Sequence, residues 1–344
     1  MTNAHQKKWH WPAAALLVGL MATPANAGAS ATAVAVEPPV VPQSPMLEAV
    51  APNLTDPATE ILALDEERNN RFTVPVMIEG AGPFNFMIDT GSQATAVTHQ
   101  INEGLKLRPF GTATLVGMAS SRPVDVVEVD TMSFGRHTVY DLISPVLDRQ
   151  HVGADGIIGL DSLQGFRVLI DFRDETIAVQ DVSESGDDRR GFEIIVRARQ
   201  QLGQLLITDA MVEGVSATVI IDTGAQASLG NLALRERIRA KRAEEVTTTD
   251  VNGVELTGEL ATVRSLKIGG LALQNVPLAF ADAPAFESLG LKDRPVISLG
   301  MQHLKLFDRV AIDFSNQRIL FDVPRDVARE LRRQRNRGFN ALTQ

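Results

Sequence analysis

Two segments of this 344-residue chain carry nearly the same sequence. Phe86–Val97 reads FMIDTGSQATAV and Val219–Gly230 reads VIIDTGAQASLG, and six of these twelve aligned positions are identical. Each copy continues with a short element, Ile157-Ile158-Gly159 or Ser298-Leu299-Gly300, and then with an Ile-Asp-Phe run. An internal repeat of this kind predicts two halves of similar structure packed about an approximate two-fold axis.

Short apolar or alternating runs, separated by Gly, Asn and Asp, fill the chain from about residue 58. They predict strands at Ile61–Leu64, Phe72–Ile78, Phe84–Ile88, Ile194–Val196, Leu205–Val212 and Ala217–Ile221. Turns are predicted at Gly80–Pro83 and Glu213-Gly214, and short helices at Asp161–Phe166 and Met301–Phe307. Many short strands at this spacing indicate an all-β barrel or sandwich rather than an α/β sheet.

The N-terminus has the features of an export signal. Lys7 and Lys8 precede the apolar run Ala13–Ala22, and Ala25-Asn26-Ala27 offers a cleavage site. The run is too short to span a bilayer, so we expect residues 1–27 to be a cleaved signal peptide and the product to be periplasmic or secreted. The alternative is an N-terminal membrane anchor. After cleavage we expect no stable membrane insertion.

The remaining organisation follows from composition. Residues 28–57 are rich in Ala and Pro and predict a flexible leader. Residues 58–182 and 193–323 form the two predicted lobes, joined by a polar connector at 183–192. Residues 324–344 form a basic tail, with a short helix expected to begin near Arg325.

Charge and residue content exclude several functions. The chain has 33 Lys and Arg against 42 Asp and Glu, a net charge of −9, which argues against nucleic-acid binding. It has no cysteine, so disulfides, thiol nucleophiles and thiolate metal sites are excluded. No zinc-peptidase, serine-hydrolase or phosphate-loop motif occurs in the sequence. We therefore expect neither a metal nor a cofactor.

Asp89 and Asp222 are the candidate catalytic residues. Each begins an Asp-Thr-Gly triplet directly after an apolar strand, at equivalent positions of the repeat. If the halves pack about a two-fold axis, the two carboxylates face one another. Two carboxylates at close range share one proton, and together they supply the base and the acid that hydrolysis of a peptide bond needs.

The neighbouring loop residues have supporting roles. Glycine at the third triplet position lets the backbone approach the carboxylates, and the threonine hydroxyls can reach into the opposing loop. The supporting residues are Thr90, Gly91, Ser92, Thr223, Gly224 and Ala225.

The fourth loop position differs between the copies. Ser92 can donate a hydrogen bond to Asp89, whereas Ala225 has no hydroxyl to offer Asp222. A donor stabilises the charged form of a carboxylate, so this difference predicts that Asp222 carries the shared proton.

These triplets, with the later I-I-G and S-L-G elements, resemble the retropepsin-like and pepsin-like aspartic peptidases over residues 58–323. The V-P-V-x-I-x-G-x-G-P-F-x-F-x-I-D-T-G run is most similar to bacterial retropepsin-like members. The resemblance implies an acid-protease-like fold with two pseudo-symmetric β-barrel lobes, a cleft and active site between them, and an extended polypeptide substrate. It also implies flap hairpins near Gly117 to Arg122, including Met118, and at Asn252-Gly253.

Two alternatives stay open. The first is a two-lobed module of the same fold that binds peptides without cutting them. The second is a peptidase whose halves pair between two chains, although a monomer with an intramolecular pseudo-dimer is simpler. Asp171 and Asp313, each in an Ile-Asp-Phe run, are expected to have a structural role rather than a catalytic one.

Overall fold

The computed structural model describes residues 21–22, 59–63, 65–67, 71–181 and 192–329. The predicted leader, and all but two residues of the predicted signal peptide, lie outside these ranges, as does the predicted connector except for Phe192. Within the described residues, no helix is long and apolar enough to cross a membrane.

Six strands of the first half pair in a closed ring. Their order is β4-β5-β10-β6-β9-β8, and a β4–β8 pairing closes the ring. β3 extends this sheet at β4, and β7 extends it at β8. The strands are β3 (Asp65–Glu67), β4 (Arg71–Ile78), β5 (Ala81–Ile88), β6 (Ala96–Thr98), β7 (Arg108–Val116), β8 (Ser121–Phe134), β9 (His137–Leu147) and β10 (Gly156–Ile158).

The second half has a ring of corresponding order. It runs β15-β16-β21-β17-β20-β19 and is closed by a β15–β19 pairing. β14 extends it at β15, and β18 with β1 extends it at β19. The strands are β1 (Met21–Ala22), β14 (Arg199–Gln201), β15 (Gln204–Val212), β16 (Val215–Ile221), β17 (Leu229–Gly230), β18 (Lys241–Thr249), β19 (Glu255–Ile268), β20 (Leu271–Phe280) and β21 (Val296–Leu299).

A third sheet joins the halves. It contains β2 (Thr59–Ala63), β11 (Phe166–Asp171), β12 (Thr176–Asp181), β13 (Ile194–Arg197), β22 (Arg309–Asp313) and β23 (Arg318–Asp322). Its order is β13-β23-β22-β11-β12-β2, and the central strands β22 and β11 are antiparallel. Leu169 lies opposite Ala311, its equivalent in the repeat, so the approximate two-fold axis passes between them. The predicted all-β fold with two barrel lobes is confirmed.

The helices are short and lie between strands. They are α1 (His99–Leu105), α2 (Arg149–Val152), α3 (Leu160–Leu163), α4 (Leu232–Arg235), α5 (Pro284–Ser288) and α6 (Met301–Leu304). α3 and α6 are shorter than predicted. Gly165 has a φ of +90° that ends the first helical region, and Phe166 already begins β11. Residues 325–329 are helical, as expected for the start of the tail.

One predicted turn was misplaced. The chain reverses at Glu79-Gly80, and the predicted turn residues from Ala81 onward begin β5, with Ala81 paired to Ile78. Glu79 and Gly80 have φ values of 51° and 74°. Two consecutive left-handed residues match the twist of a two-residue hairpin, so they take precedence over the Gly-Pro signal. The turn predicted at Glu213-Gly214 has the same form and is correct.

One cluster of buried apolar side chains runs through both rings and the central sheet, and Phe86, Phe280 and Phe321 are among its largest members. Alternate residues of ring strands such as β4 (Val74, Val76 and Ile78) belong to this cluster, as expected for a closed sheet. The core therefore holds the two halves as one body and keeps the loops at their junction in place.

Candidate active site

Asp89 and Asp222 occupy equivalent positions in the two rings. Each directly follows the last residue of its strand, β5 or β16. The Asp89 N–H donates to the Ile158 carbonyl at 3.0 Å, and the Asp222 N–H donates to the Leu299 carbonyl at 3.1 Å. Their exposed fractions are 0% and 1%, so both carboxylates leave buried strands at the junction of the halves.

The two triplet loops are joined by a reciprocal pair of threonines. The Thr90 N–H donates to Thr223 Oγ1 at 3.0 Å, and the Thr223 N–H donates to Thr90 Oγ1 at 3.3 Å. Each hydroxyl then donates across the interface at 2.8 Å, Thr90 to the Ile221 carbonyl and Thr223 to the Ile88 carbonyl. These four bonds hold the loops in a single relative position.

The Asp89 carboxylate lies against the opposite loop. A Cβ atom added to Gly224 would lie 2.3 Å from Asp89 Cγ and 2.3 Å from Asp89 Oδ2. Glycine is therefore required at this position by close approach. The loop that Asp89 contacts is the one that carries Asp222, two residues before Gly224.

The hydrogen bonds of Asp89 differ from the prediction. Its Oδ1 accepts from the Gly91 N–H at 2.8 Å and the Ser92 N–H at 3.1 Å. The Ser92 hydroxyl instead donates to the Ala94 carbonyl at 2.8 Å. The hydroxyl of Ser92 is thus directed along its own loop, and the predicted reason for placing the shared proton on Asp222 does not hold.

Asp222 receives a hydroxyl that sequence analysis missed. Its Oδ1 accepts from the Ala225 N–H at 3.0 Å, and its Oδ2 accepts from Ser298 Oγ at 2.7 Å. Ser298 is 1% exposed and lies on β21, where the first half has Ile157. The signal was present in the sequence as a polar residue at an apolar repeat position.

A second layer of hydroxyls fixes the strands behind the triplets. In the first half the Gly159 N–H donates to Thr95 Oγ1 at 3.0 Å, and in the second the Gly300 N–H donates to Ser228 Oγ at 2.8 Å. Ser228 Oγ also lies 2.7 Å from Nδ1 of buried His303. Burial lowers the pKa of His303 to about 4, so this imidazole is neutral near pH 7.

Gln204 supports the first triplet loop from the other half. Its side chain is 1% exposed, and its Nε2 donates to the Gly91 carbonyl at 2.7 Å. Nothing in the sequence near Gln204 indicated this contact, because the two residues are 113 positions apart.

Hairpin turns lie at both predicted flap positions. The first, between β7 and β8, is closed by a Gly117 N–H bond to the Ser120 carbonyl at 2.8 Å. Met118 in this turn is buried against a cluster that includes Phe286. The second, between β18 and β19, is closed by a Gly253 N–H bond to the Asp250 carbonyl at 2.9 Å.

The two hairpin tips contact each other through Asp250. Its Oδ1 accepts from the Asn252 N–H at 2.9 Å and the Val254 N–H at 3.0 Å within its own hairpin. Its Oδ2 accepts from the Ala119 N–H at 3.1 Å and the Ser120 hydroxyl at 2.7 Å in the other hairpin.

The Asn252 amide adds two further bonds between the hairpins. Its Nδ2 donates to Ser120 Oγ, and its Oδ1 accepts from Arg122 Nε, both at 2.8 Å. We call this set of residues the hairpin clasp: Ala119, Ser120, Arg122, Asp250 and Asn252.

Two of the predicted flap glycines are required by close contacts. A Cβ on Gly117 would lie 2.4 Å from Asp250 Oδ2, and one on Gly253 would lie 2.5 Å from His151 Nε2. Gly253 also has a φ of +76°. A larger residue at 117 would displace the Asp250 side chain of the other hairpin, and one at 253 would displace the His151 side chain of α2.

Among the described residues, no group of three or more His, Asp or Glu side chains could hold a metal ion. The polar groups at the junction include the carboxyl groups of Asp89 and Asp222, hydroxyls and backbone N–H groups. Such a set can transfer protons to and from a bound water, which is the chemistry of acid–base hydrolysis.

Comparison with known proteins agrees with this geometry. The sequence model of the family described as aspartyl protease matches residues 74–162 and 208–302, and each segment contains one Asp-Thr-Gly loop. No protein with a curated description matches the chain.

Two solved structures are similar to this chain. Basic 7S globulin from soybean is 10% identical, with a TM-score of 0.40, over 77% of this chain and 94% of that one. A retropepsin-like aspartic protease from Rickettsia conorii is 23% identical, with a TM-score of 0.26, over 38% of this chain and 89% of that one. Because the family match covers both repeats and more than half of the residues, this chain belongs to the aspartyl protease family.

Proposed function

We propose that this protein is an exported aspartic endopeptidase that hydrolyses peptide bonds with a water activated between Asp89 and Asp222. The observation that carries the proposal is the reciprocal threonine pair, Thr90 and Thr223, which joins two Asp-Thr-Gly loops from different halves. The contact of Asp89 with Gly224 and the burial of both carboxyl groups support a shared site at the junction of the halves.

The chemistry follows from one proton shared by two carboxyl groups. This sharing is the established arrangement of aspartic proteases, so the general mechanism is adopted from that family. The ionised carboxylate takes a proton from the water as its oxygen attacks the peptide carbonyl carbon. The protonated carboxyl donates to the carbonyl oxygen and gives a neutral tetrahedral diol. Return of a proton to the nitrogen then accompanies cleavage of the C–N bond.

The substrate we propose is a polypeptide in extended conformation, bound beneath the two hairpins. Backbone hydrogen bonds to strand edges hold such a peptide largely independently of its sequence, and side-chain pockets add preference. The hairpin clasp has to open, or the peptide has to thread beneath it, before the carboxylates are reached, because both are buried. We also propose export to the periplasm or the medium, and action as a monomer.

The test is cleavage of an unstructured protein by the chain lacking residues 1–27, measured from acid to neutral pH. Asp89→Asn and Asp222→Asn keep side-chain size but remove the shared proton, so each should reduce kcat by about 10³-fold or more. The matched control is Asp209→Asn, an exposed carboxylate on β15, which should leave cleavage unchanged. Circular dichroism would show that all variants stay folded.

Two other outcomes would overturn the proposal. Unchanged cleavage in either of the Asp89 and Asp222 variants would exclude the paired mechanism. Absence of cleavage by the unaltered chain, with retained binding of an extended peptide, would instead favour the non-cleaving module of the same fold.

A further inference from the structure

The two halves differ at an equivalent position of β10 and β21, which is Ile157 in the first half and Ser298 in the second. The Ser298 hydroxyl donates to Asp222 Oδ2 at 2.7 Å. Ser298 is fully enclosed at 1% exposure, so water does not compete for this bond. An enclosed hydroxyl bound to a carboxylate strengthens the preference of that carboxylate for its charged form.

The equivalent position beside Asp89 has no hydroxyl. There β10 carries Ile157, which packs in an apolar cluster with Met87 and Ala96. The hydroxyl of Ser92, in the same loop as Asp89, gives its single proton to the Ala94 carbonyl. Asp89 Oδ1 accepts from two backbone N–H groups of its own loop, whereas Asp222 accepts from one backbone N–H and from the Ser298 hydroxyl.

We propose that Ser298 is a positioning residue that makes the carboxylate pair asymmetric, holding Asp222 as the ionised member so that Asp89 carries the shared proton. In the peptidase mechanism, on which this inference rests, Asp222 is then the base that takes the proton from water. Asp89 is the acid that protonates the peptide carbonyl oxygen. Asp89 is a titratable group that lies against the loop carrying Asp222, and the adjoining strands β10 and β21 contribute Ile157 and Ser298 at the corresponding positions.

The first experiment reads the protonation directly and does not require activity. In full-length Asp89→Asn protein, ¹³C-labelled at aspartate, the Cγ resonance of Asp222 is titrated with and without Ser298→Ala. Ser298→Ala removes a hydrogen-bond donor to the charged form, so the titration midpoint of the Asp222 carboxyl group should rise by about one pH unit. In the Asp222→Asn background the same substitution should leave the midpoint of Asp89 unchanged.

Near-isosteric variants separate the hydroxyl from packing. Ser298→Thr keeps a donor and should retain the midpoint of the unaltered serine, whereas Ser298→Val has the shape of threonine without the hydroxyl and should behave like Ser298→Ala. This pair also replaces the alanine variant if that variant fails to fold. Equal shifts of Asp89 and Asp222, or no shift of Asp222, would overturn the inference.

The second experiment uses the pH profile of kcat/KM for peptide cleavage. Ser298→Ala should move the acid limb to higher pH by about one unit with little change in KM, and Ser298→Thr should restore it. An unmoved acid limb would contradict the role of Ser298. If the unaltered chain cleaves nothing, the titration in the preceding experiment still decides the inference, so failure of the proposed function and failure of this inference are distinguishable.

Discussion

At the scale of single residues, the site depends on atoms that leave almost no space between the halves. Gly224 shows this most clearly, because Asp89 Cγ lies where a methyl group at position 224 would be. Ser298 and the two threonines show the same dependence on individual hydroxyls. Small side-chain changes here should therefore change the relative position of the two carboxyl groups before they unfold the protein.

Gly224→Ala tests the close approach. The new Cβ would lie 2.3 Å from Asp89 Cγ, so the triplet loops must separate. We expect a loss of about 1–3 kcal/mol in unfolding free energy by urea denaturation and a fall of about 100-fold in cleavage rate. Gly104→Ala is the control, since it lies in α1 with nothing within 4 Å of the added atom. It should be neutral or slightly stabilising.

His303 provides a test of pH dependence. Its pKa in the folded protein is about 4, below the ordinary value of 6.5, because burial disfavours the charged ring. The unfolded chain therefore binds a proton at higher pH than the folded chain. The contribution of the neutral His303 ring to the free energy of unfolding should be fully present above pH 6.5. It should be lost as the pH falls towards 4, by at most about 1.4 kcal/mol per pH unit.

His303→Asn keeps a polar atom near Ser228 but removes the titration. Urea denaturation at several pH values should show a flatter dependence between pH 6.5 and 4 in this variant than in the unaltered chain. Equal slopes for the two proteins would mean that His303 does not contribute.

At the scale of elements, the two hairpins are stable turns whose tips are connected by side chains rather than by a shared sheet. Asp250 completes its own turn with one oxygen and binds the other hairpin with the second. Apolar side chains of the tips are also buried, Met118 in a cluster with Phe286 and Val251 in a cluster with Leu115. Opening the clasp therefore has to expose these side chains as well as break its hydrogen bonds.

Ser120→Ala should loosen the clasp without disturbing the turn around Asp250. The variant loses a hydroxyl that contacts both Asp250 and Asn252 across the hairpins. We expect the Ala119 amide, which also donates to Asp250, to exchange with deuterium about tenfold faster. Asp125→Ala, an exposed change on the same hairpin, is the control and should leave that rate unchanged. Equal rates in all three proteins would argue against the clasp as a closing contact.

At the scale of the whole molecule, the central sheet joins the halves through a buried ion cluster. Arg167 of β11 and Arg318 of β23 both lie within 3.0 Å of Asp313 Oδ2 on β22. Burial alone would raise the pKa of Asp313, but the hydrogen bonds from Arg167 and Asn316 and the charge of Arg167 lower it on balance.

Asp313 has the structural role expected of it. Asp171 accepts the Arg173 and Asp174 N–H groups of the turn that follows it.

Asp313→Asn should destabilise the whole protein rather than one lobe. It would leave two buried arginines without their carboxylate, at a cost of about 3–5 kcal/mol in urea denaturation. Because the pKa of Asp313 is lowered by folding, its contribution is present above the unfolded value and is lost as the pH falls through the folded value. The variant should therefore lose part of the acid sensitivity of the parent. Unfolding in two separate steps would contradict a sheet that couples the halves.

Much of the fold could be predicted because its determinants are local. Strands such as β4 and β15 follow from apolar runs of the right length, and the Glu213-Gly214 turn follows from adjacent residues. The misplaced turn at Gly80–Pro83 shows the limit of such signals. Local residues favour a turn either at Glu79-Gly80 or at Gly80–Pro83, and the pairing of Ile78 with Ala81 places it at Glu79-Gly80.

By itself, the sequence determined the two-fold plan: the repeat, the strands, and an Asp-Thr-Gly triplet at the end of each equivalent strand. Only the tertiary structure decided which donor reaches which carboxylate. Ser298 is 76 residues from Asp222, and the hairpin contacts span about 130 residues. The physical reason is that strand and turn preferences act between neighbours, whereas a hydrogen bond depends on positions to within a few tenths of an ångström. Those positions are set only when both halves have packed.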